Sequence, residues 1–369
     1  MSRVVILVTN DIEADQRVAK VAGSMAVLGY DISIVGVMRS YSSRSFRMTH
    51  KLVRFHLLFQ RGPLFYLSFN IRAFFHLLFH SYAVVVACDT DTLLAARLAK
   101  LVKGFKLVFD AHELFPDVPE LVGDDHRLTR AIWKMVERSC IPGVDTAITV
   151  SEGVAKEYAR RYGKSFSVVR NVPLSISGFN ANQSNQNVII YQGAINTGRG
   201  LELLCEAMHF LPEAELWIVG TGYLDNTIAR LVQPLVDSGQ IKLLGRIAPE
   251  ILRGITTQAS VGVSLEEDLG LSYRYCLPNK LFDYIFAGIP VLVSDLPEMR
   301  KLVEGYSIGV VLMERTPQAL ANTIRGMLSD LSRRKQWQQN LAIAAIELCW
   351  EKEQEKFFRV WKHDISSPQ

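Results

Sequence analysis

The chain has little that would commit it to an oxidising compartment, a zinc site or a membrane span. Its five cysteines, Cys88, Cys140, Cys205, Cys276 and Cys349, are odd in number and scattered, with no C-x-x-C pair. That pattern argues against a disulfide framework and a zinc finger, and the thiols are expected to be reduced. No uninterrupted apolar run is long enough to cross a bilayer. The apolar start stops at Thr9, too early for a signal peptide, so it reads as a first buried strand and the expectation is a cytoplasmic protein. No G-x-G-x-x-G follows that strand, which runs into Thr9, Asn10 and Asp11, and a nicotinamide enzyme loses its main support. Most unevenly, not one Asp or Glu occurs from Ile32 to Cys88.

That acid-free interval carries Arg39, Arg54, Arg61 and Arg72 among other basic residues, interleaved with phenylalanines such as Phe59, Phe65, Phe69 and Phe75. Basic and aromatic residues on one surface suit an anionic membrane interface, and residues 32–88 are expected to supply a peripheral contact at the inner face of the cell membrane. The competing expectation is that the phenylalanines pack inside and the arginines are merely solvated. A nucleic-acid partner is not expected, because no recognition motif accompanies the charge.

What is present is a soluble composition, 49% hydrophobic and 21% charged over 369 residues, enough for two domains. Short apolar strands alternate with helical patterns, the signature of parallel α/β units. One series runs from Val4 to about Val168, a second from Val188 to Leu312. The polar, aperiodic stretch 175–187 reads as the linker between them. The spacing therefore predicts domains at 1–174 and 188–348, with a last helical segment in 349–369 whose Phe357, Phe358 and Trp361 pack back on the first domain.

Two segments carry the chemistry. Leu277–Asp295, LPNKLFDYIFAGIPVLVSD, places Pro278 at a helix start, where its missing N–H is not needed and the positive end of the helix dipole suits a diphosphate. Lys280 adds a cation there beside Asn279, and Asp283, one turn on, is positioned to accept bonds from ribose hydroxyls. Gly288 ends the helix before a buried strand. Tyr191–Leu201, YQGAINTGRGL, reads as strand, glycine loop and a helix beginning near Gly198 or Arg199. Gly193 allows close backbone approach and the Arg199 fork suits phosphate oxygens. Gly220, in a lone G-x-G after a strand, is a weaker backbone candidate.

These motifs, with L-x-I-V-G-x-G and P-N-K-L-F-D-Y-x-x-A-G-x-P-V, and with FDAHELFPD and ITVSEGVAKEY in the first half, resemble retaining glycosyltransferases of family 4. The resemblance covers most of the chain. It implies the GT-B fold, two doubly wound Rossmann-like α/β domains facing a central cleft. It implies a nucleoside diphosphate sugar as co-substrate, with no metal and no resident cofactor, and a lipid-linked or glycan acceptor in bacterial surface polysaccharide or glycolipid assembly. It gives the diphosphate to Arg199 and Lys280 and the ribose to Asp283, and it places His112 near the transferred sugar with Glu113 orienting it. Asn10, Asp11 and Glu152 become acceptor-side candidates, although capping a helix is the plainer role for Glu152. The family's first glutamate is missing, since Tyr275 stands in its position. Glu266, Glu267 or Asp268 from the preceding loop could replace it, and Glu267 is taken as the candidate. Two other functions stay open at this stage, a sugar-nucleotide epimerase and a non-catalytic sugar-nucleotide binder supporting a partner transferase.

Overall fold

In a computed structural model, residues 2–39, 42, 48–175, 187–222 and 226–365 are described. The expected linker lies almost wholly outside them. The chain divides into two compact units, Met1–Asn171 with Glu353–Gln369, and Val172–Lys352.

The first unit contains β1 (Arg3–Leu7), α1 (Gln16–Val27), β2 (Asp31–Val37), β3 (Lys51–Phe55), α2 (Pro63–Phe79), β4 (Val84–Cys88), α3 (Thr90–Lys103), β5 (Lys106–Ala111), α4 (Arg127–Cys140), β6 (Thr146–Thr149), α5 (Glu152–Tyr162) and β7 (Ser167–Val168). Its sheet has the order β3-β2-β1-β4-β5-β6-β7, with every pairing parallel. The centre of the sheet is Val- and Ile-rich and buried on both faces, as a parallel sheet between helix layers requires. β3 was not foreseen. Its sequence KLVRF is half-buried at the sheet edge and carries two cations, so it lacks the continuous apolar run of a central strand.

The second unit contains β8 (Val188–Gln192), α6 (Leu201–Met208), β9 (Glu215–Val219), α7 (Asn226–Asp237), β10 (Ile241–Gly245), α8 (Pro249–Thr256), β11 (Val261–Ser264), α9 (Leu271–Arg274), α10 (Asn279–Ala287), β12 (Val291–Ser294), α11 (Pro297–Tyr306), β13 (Gly309–Leu312), α12 (Pro317–Ser329) and α13 (Leu331–Glu347). Its strands are ordered β10-β9-β8-β11-β12-β13, again all parallel. Both units are doubly wound α/β layers of the expected class.

The last helix, α14, spans Trp350–Asp364. Within the first unit, Trp361 meets Tyr30 edge-on at 5.7 Å, Gln354 donates to Ser24 Oγ at 2.8 Å, and Glu353 accepts the Arg170 N–H at 3.0 Å. Among the described residues, no helix is long and apolar enough to cross a membrane.

The basic and aromatic interval does not form one surface. Phe65 and Phe69 are buried in the core and Phe55 packs on Phe69, whereas Phe75 and Phe79 are exposed. The split follows from α2 carrying apolar residues on two opposite stripes, so one stripe is buried and another is not.

Candidate active site

In an open parallel sheet, ligands collect at the carboxyl ends of strands where the strand order reverses. In the second unit that point lies between β8 and β11. Gly193, just past β8, donates its N–H to Val219 O at 2.9 Å, and Gly220, just past β9, donates to Gly245 O at 2.8 Å. A Cβ on Gly220 would lie 1.8 Å from the Gly193 carbonyl oxygen, so the two loops need that glycine in order to touch. Both amides are spent within the sheet edge. These positions offer close approach rather than hydrogen-bond donors.

The helix expected near Gly198 or Arg199 begins at Leu201 instead. Gly198 and Gly200 both adopt left-handed φ values, 78° and 71°, which keep the chain turning past Arg199 before the helix can start. Arg199 is therefore a turn residue. Its Nη1 lies 3.4 Å from Glu266 Oε1, and its Cζ lies 4.7 Å from the Tyr273 ring centroid. Lys280, at the start of α10, reaches the same Glu266 Oε1 at 2.7 Å and lies 4.2 Å from the Tyr191 ring centroid. Neither α6 nor α10 has a side-chain cap at its N-terminus.

Glu266 holds this centre together. It is fully buried, and Ser264 Oγ donates to its Oε2 at 2.6 Å. Burial pushes its carboxyl up, but Lys280, the Ser264 hydrogen bond and Arg199 outweigh that and hold it below the usual carboxylate range. Burial pulls the Lys280 ammonium down, and Glu266 offsets part of the fall. Two cations on one carboxylate leave the centre with a net positive charge, and Arg199 is 27% exposed against 7% for Lys280.

Asn279 lies beside Lys280 at the helix start, and Asp283 is half-buried one turn further along α10. Glu267 donates its backbone N–H to Gly198 O at 2.9 Å, and its side chain lies 3.8 Å from Arg315 rather than against Arg199 or Lys280. Asp268 pairs with Arg274 at 2.6 Å on the surface. Of the three acids considered for this loop, Glu266 is the one that meets the cations. Arg315 also escaped sequence reading. It donates to Ser294 Oγ at 2.5 Å and to Leu265 O at 3.1 Å, pinning the loop that presents Glu266. A largely apolar cavity of about 270 Å³ opens beside the loops, lined by Ile195, Ile218, Gly220, Thr221 and Leu243.

In the first unit the order reverses between β1 and β4. Asn10 is exposed. Asp11 is buried, accepting the Ser42 hydroxyl at 2.7 Å and the Glu13 N–H at 3.3 Å, so it acts as a local cap. His112 follows β5, and its backbone N–H donates to Asp89 Oδ1 at 2.7 Å. Its ring is flanked on both sides, with Nδ1 3.3 Å from Asp89 Oδ2 and Nε2 3.4 Å from Asp110 Oδ2. Burial opposes a charge on this ring, but Asp89 and Asp110 together hold its pKa well above the ordinary histidine value. The two carboxylates therefore favour the protonated ring. Asp89 has a left-handed φ of 59°, a strained conformation of the sort that collects at functional sites.

Cys88, Asp110 and His112 place ligand atoms within 4.8 Å of one another, but they do not suit a cation. The Arg17 guanidinium already occupies Asp110 at 2.6 Å and 3.0 Å, and burial pushes the Cys88 thiol up to about 12. Glu113 is half-buried, and its carbonyl accepts the Tyr158 hydroxyl at 3.0 Å. Glu152 is the first residue of α5. The cap is Ser151, whose hydroxyl accepts from Val154 N at 3.3 Å, so capping is not the role of Glu152.

Two doubly wound units, one of which gathers cations and uncapped helix starts at its strand-order reversal, define the GT-B class of group-transfer enzyme. Residues 14–173 match the model for Glycosyltransferase Family 4 and residues 186–330 that for Glycosyl transferases group 1. The chain belongs to the family 4 type of GT-B glycosyltransferases. A search of curated proteins by sequence gives no match. Among solved structures, a sucrose-phosphate synthase from Thermosynechococcus elongatus superposes with a TM-score of 0.81 at 17% identity, covering 100% of both chains. HepE from Anabaena, solved with UDP and glucose, superposes at 0.75 with 14% identity, covering 98% of this chain and 100% of the other. WaaG, a glycosyltransferase involved in lipopolysaccharide biosynthesis, superposes at 0.71 with 13% identity, covering 96% of this chain and 98% of the other. At these identities the likenesses establish the fold.

Proposed function

We propose that this glycosyltransferase moves a sugar from a nucleoside diphosphate sugar to an acceptor hydroxyl with retention of anomeric configuration, the acceptor being a lipid-linked or glycan molecule of bacterial surface polysaccharide or glycolipid assembly. The observation that carries the reading is the convergence of Arg199 and Lys280 on Glu266 at the strand-order reversal of the second sheet. A departing diphosphate gains negative charge, and fixed positive groups lower the barrier where that charge develops. Arg199 supplies the exposed fork, Lys280 the charge behind it, and the uncapped starts of α6 and α10 add their dipoles. The cavity beside Gly220 offers an apolar wall for a nucleobase, and Asp283 an acceptor for ribose hydroxyls. The HepE complex with UDP and glucose supports a donor of this chemistry.

With that charge supplied by the protein, turnover needs no divalent ion. His112, whose protonated ring the two carboxylates favour, acts as a positive neighbour to the sugar or the departing phosphate, and not as the base that takes the acceptor proton. No residue is assigned as a covalent nucleophile, so retention rests on the family. The test is incubation with UDP, GDP, ADP and dTDP sugars in the presence of a chelator, following nucleoside diphosphate release and assigning the product anomer by NMR. Diphosphate release with an axial-to-axial or equatorial-to-equatorial outcome supports the proposal. Binding without turnover across donors and acceptors would favour the sugar-nucleotide binder, and an isomerised donor with no transfer would favour the epimerase.

A further inference from the structure

The crossovers β3 to β4, β4 to β5 and β5 to β6 all advance in one direction across the first sheet, so the right-handed rule puts α2, α3 and α4 on the same face. α2 packs along α3, and α3 along α4. Each of these helices buries one apolar stripe and exposes another. On α2 the buried residues are Phe65, Phe69, Ala73 and Leu77, while Leu64, Leu67, Ile71, Phe75 and Phe79 are exposed. At 100° per residue the two stripes lie on opposite sides of the helix. α3 adds exposed Leu94, Leu98 and Leu101, and α4 adds Leu128, Ile132 and Met135, again at spacings of three and four. A soluble helix normally turns polar residues outward, and an exposed apolar series of this extent marks an interaction surface.

The charge on these helices selects the occupant. Their only acids are Asp91 and Glu137, both buried, whereas Arg72, Lys103, Arg127 and Arg138 are exposed. Arg61 is exposed just before α2. The exposed acids Glu120 and Asp125 lie on the segment leading into α4. An isologous pair of such faces would set like charges against each other, which disfavours a second copy. An anionic bilayer offers acyl chains to the stripes and headgroup charge to the rim.

We infer that the outer face of α2, α3 and α4 rests on an anionic lipid surface, with the leucine, isoleucine and phenylalanine stripes in the interface and the arginines and lysines against the headgroups. The face extends past residues 32–88 onto two further helices, and it excludes the buried phenylalanines of that interval. It deepens the lipid-side part of the proposed function and is independent of the donor site.

The experiment is co-sedimentation of the full chain with vesicles of phosphatidylcholine alone or mixed with phosphatidylglycerol. Donor turnover and thermal midpoint are measured on the same samples. Wild-type protein is expected to bind the mixed vesicles in a salt-sensitive way. Ile71→Glu and Leu98→Glu should each weaken binding roughly tenfold or more, since each places a charge where an apolar side chain was buried. Arg72→Glu and Arg138→Glu should each cost about fivefold or more. Unchanged midpoints exclude misfolding, and Ile71→Ser repeats the test should the glutamate variant not fold. No binding to the mixed vesicles, equal binding to both kinds, or unchanged binding by the variants would overturn the inference. So would a wild-type dimer that Leu98→Glu turns into a monomer, which would assign the face to a second copy. Wild-type protein that turns over donor without binding the mixed vesicles counts against this face alone, and vesicle binding without donor turnover counts against the donor site alone.

Discussion

Replacing Glu266 with Gln removes one charge from a buried centre while keeping its shape and an acceptor for Ser264. At 2.7 Å, the Lys280 to Glu266 attraction amounts to about 6 kcal/mol gross at an effective dielectric near 20. Desolvation of both groups opposes it, and breaking a buried pair from one side typically costs about 3–5 kcal/mol net. For a unit the size of Val172–Lys352 that corresponds to a fall of about 6–20 °C in thermal midpoint. The same change removes the carboxylate that Arg199 faces, so a nucleoside diphosphate should bind the variant more tightly than the wild type and restore part of the lost stability. Calorimetric unfolding with and without nucleoside diphosphate measures both effects. A variant with unchanged midpoint and unchanged affinity would refute the reasoning, because Glu266 would then not be holding the two cations.

Four further outcomes follow from the same geometry. Arg199→Ala should lower turnover about 10²–10³-fold with the fold intact, the usual loss when one transition-state charge donor is removed, and steady-state kinetics with circular dichroism checks it. Asp89→Asn removes one of two carboxylates beside His112 and should bring its pKa down, so NMR titration of the ring should show deprotonation at lower pH than in the wild type. Because the folded pKa of His112 lies above the unfolded value, the stability it contributes is fully present below about pH 6.5 and is lost as pH rises through the folded value, which pH-dependent denaturation will show. Gly220→Ala should destabilise by about 1–3 kcal/mol in urea unfolding, since a left-handed φ and the Gly193 carbonyl both oppose a Cβ.

The fold was largely legible because its central strands are continuous Val- and Ile-rich runs between helical patterns, and a parallel sheet leaves no other way to bury them. β3 was missed because an edge strand with Lys51 and Arg54 lacks that signal. At the site, Arg199 and Lys280 stood out by their places beside glycine and at a helix start. Glu266 was named with Glu267 and Asp268 but passed over for Glu267, because a carboxylate buried beyond a strand end is unexpected on composition. Its parity with Ser264, two residues earlier and thus on the same side of an extended chain, was the available clue. The partners of His112 required register, since Asp110 pairs with Cys88 across β4 and β5 and so brings Asp89 level with the ring, a fact no single segment contains. Which phenylalanines of residues 32–88 face the sheet was not legible, because composition does not say which stripe of a largely apolar helix is buried.

The central claim is that Arg199 and Lys280 hold the diphosphate of the donor. Isothermal titration of nucleoside and nucleoside diphosphate into wild type and Arg199→Ala tests it most directly. The account predicts that the wild type binds the diphosphate far more tightly than the nucleoside and that Arg199→Ala loses most of that difference. Equal preference for the diphosphate in both proteins would contradict it.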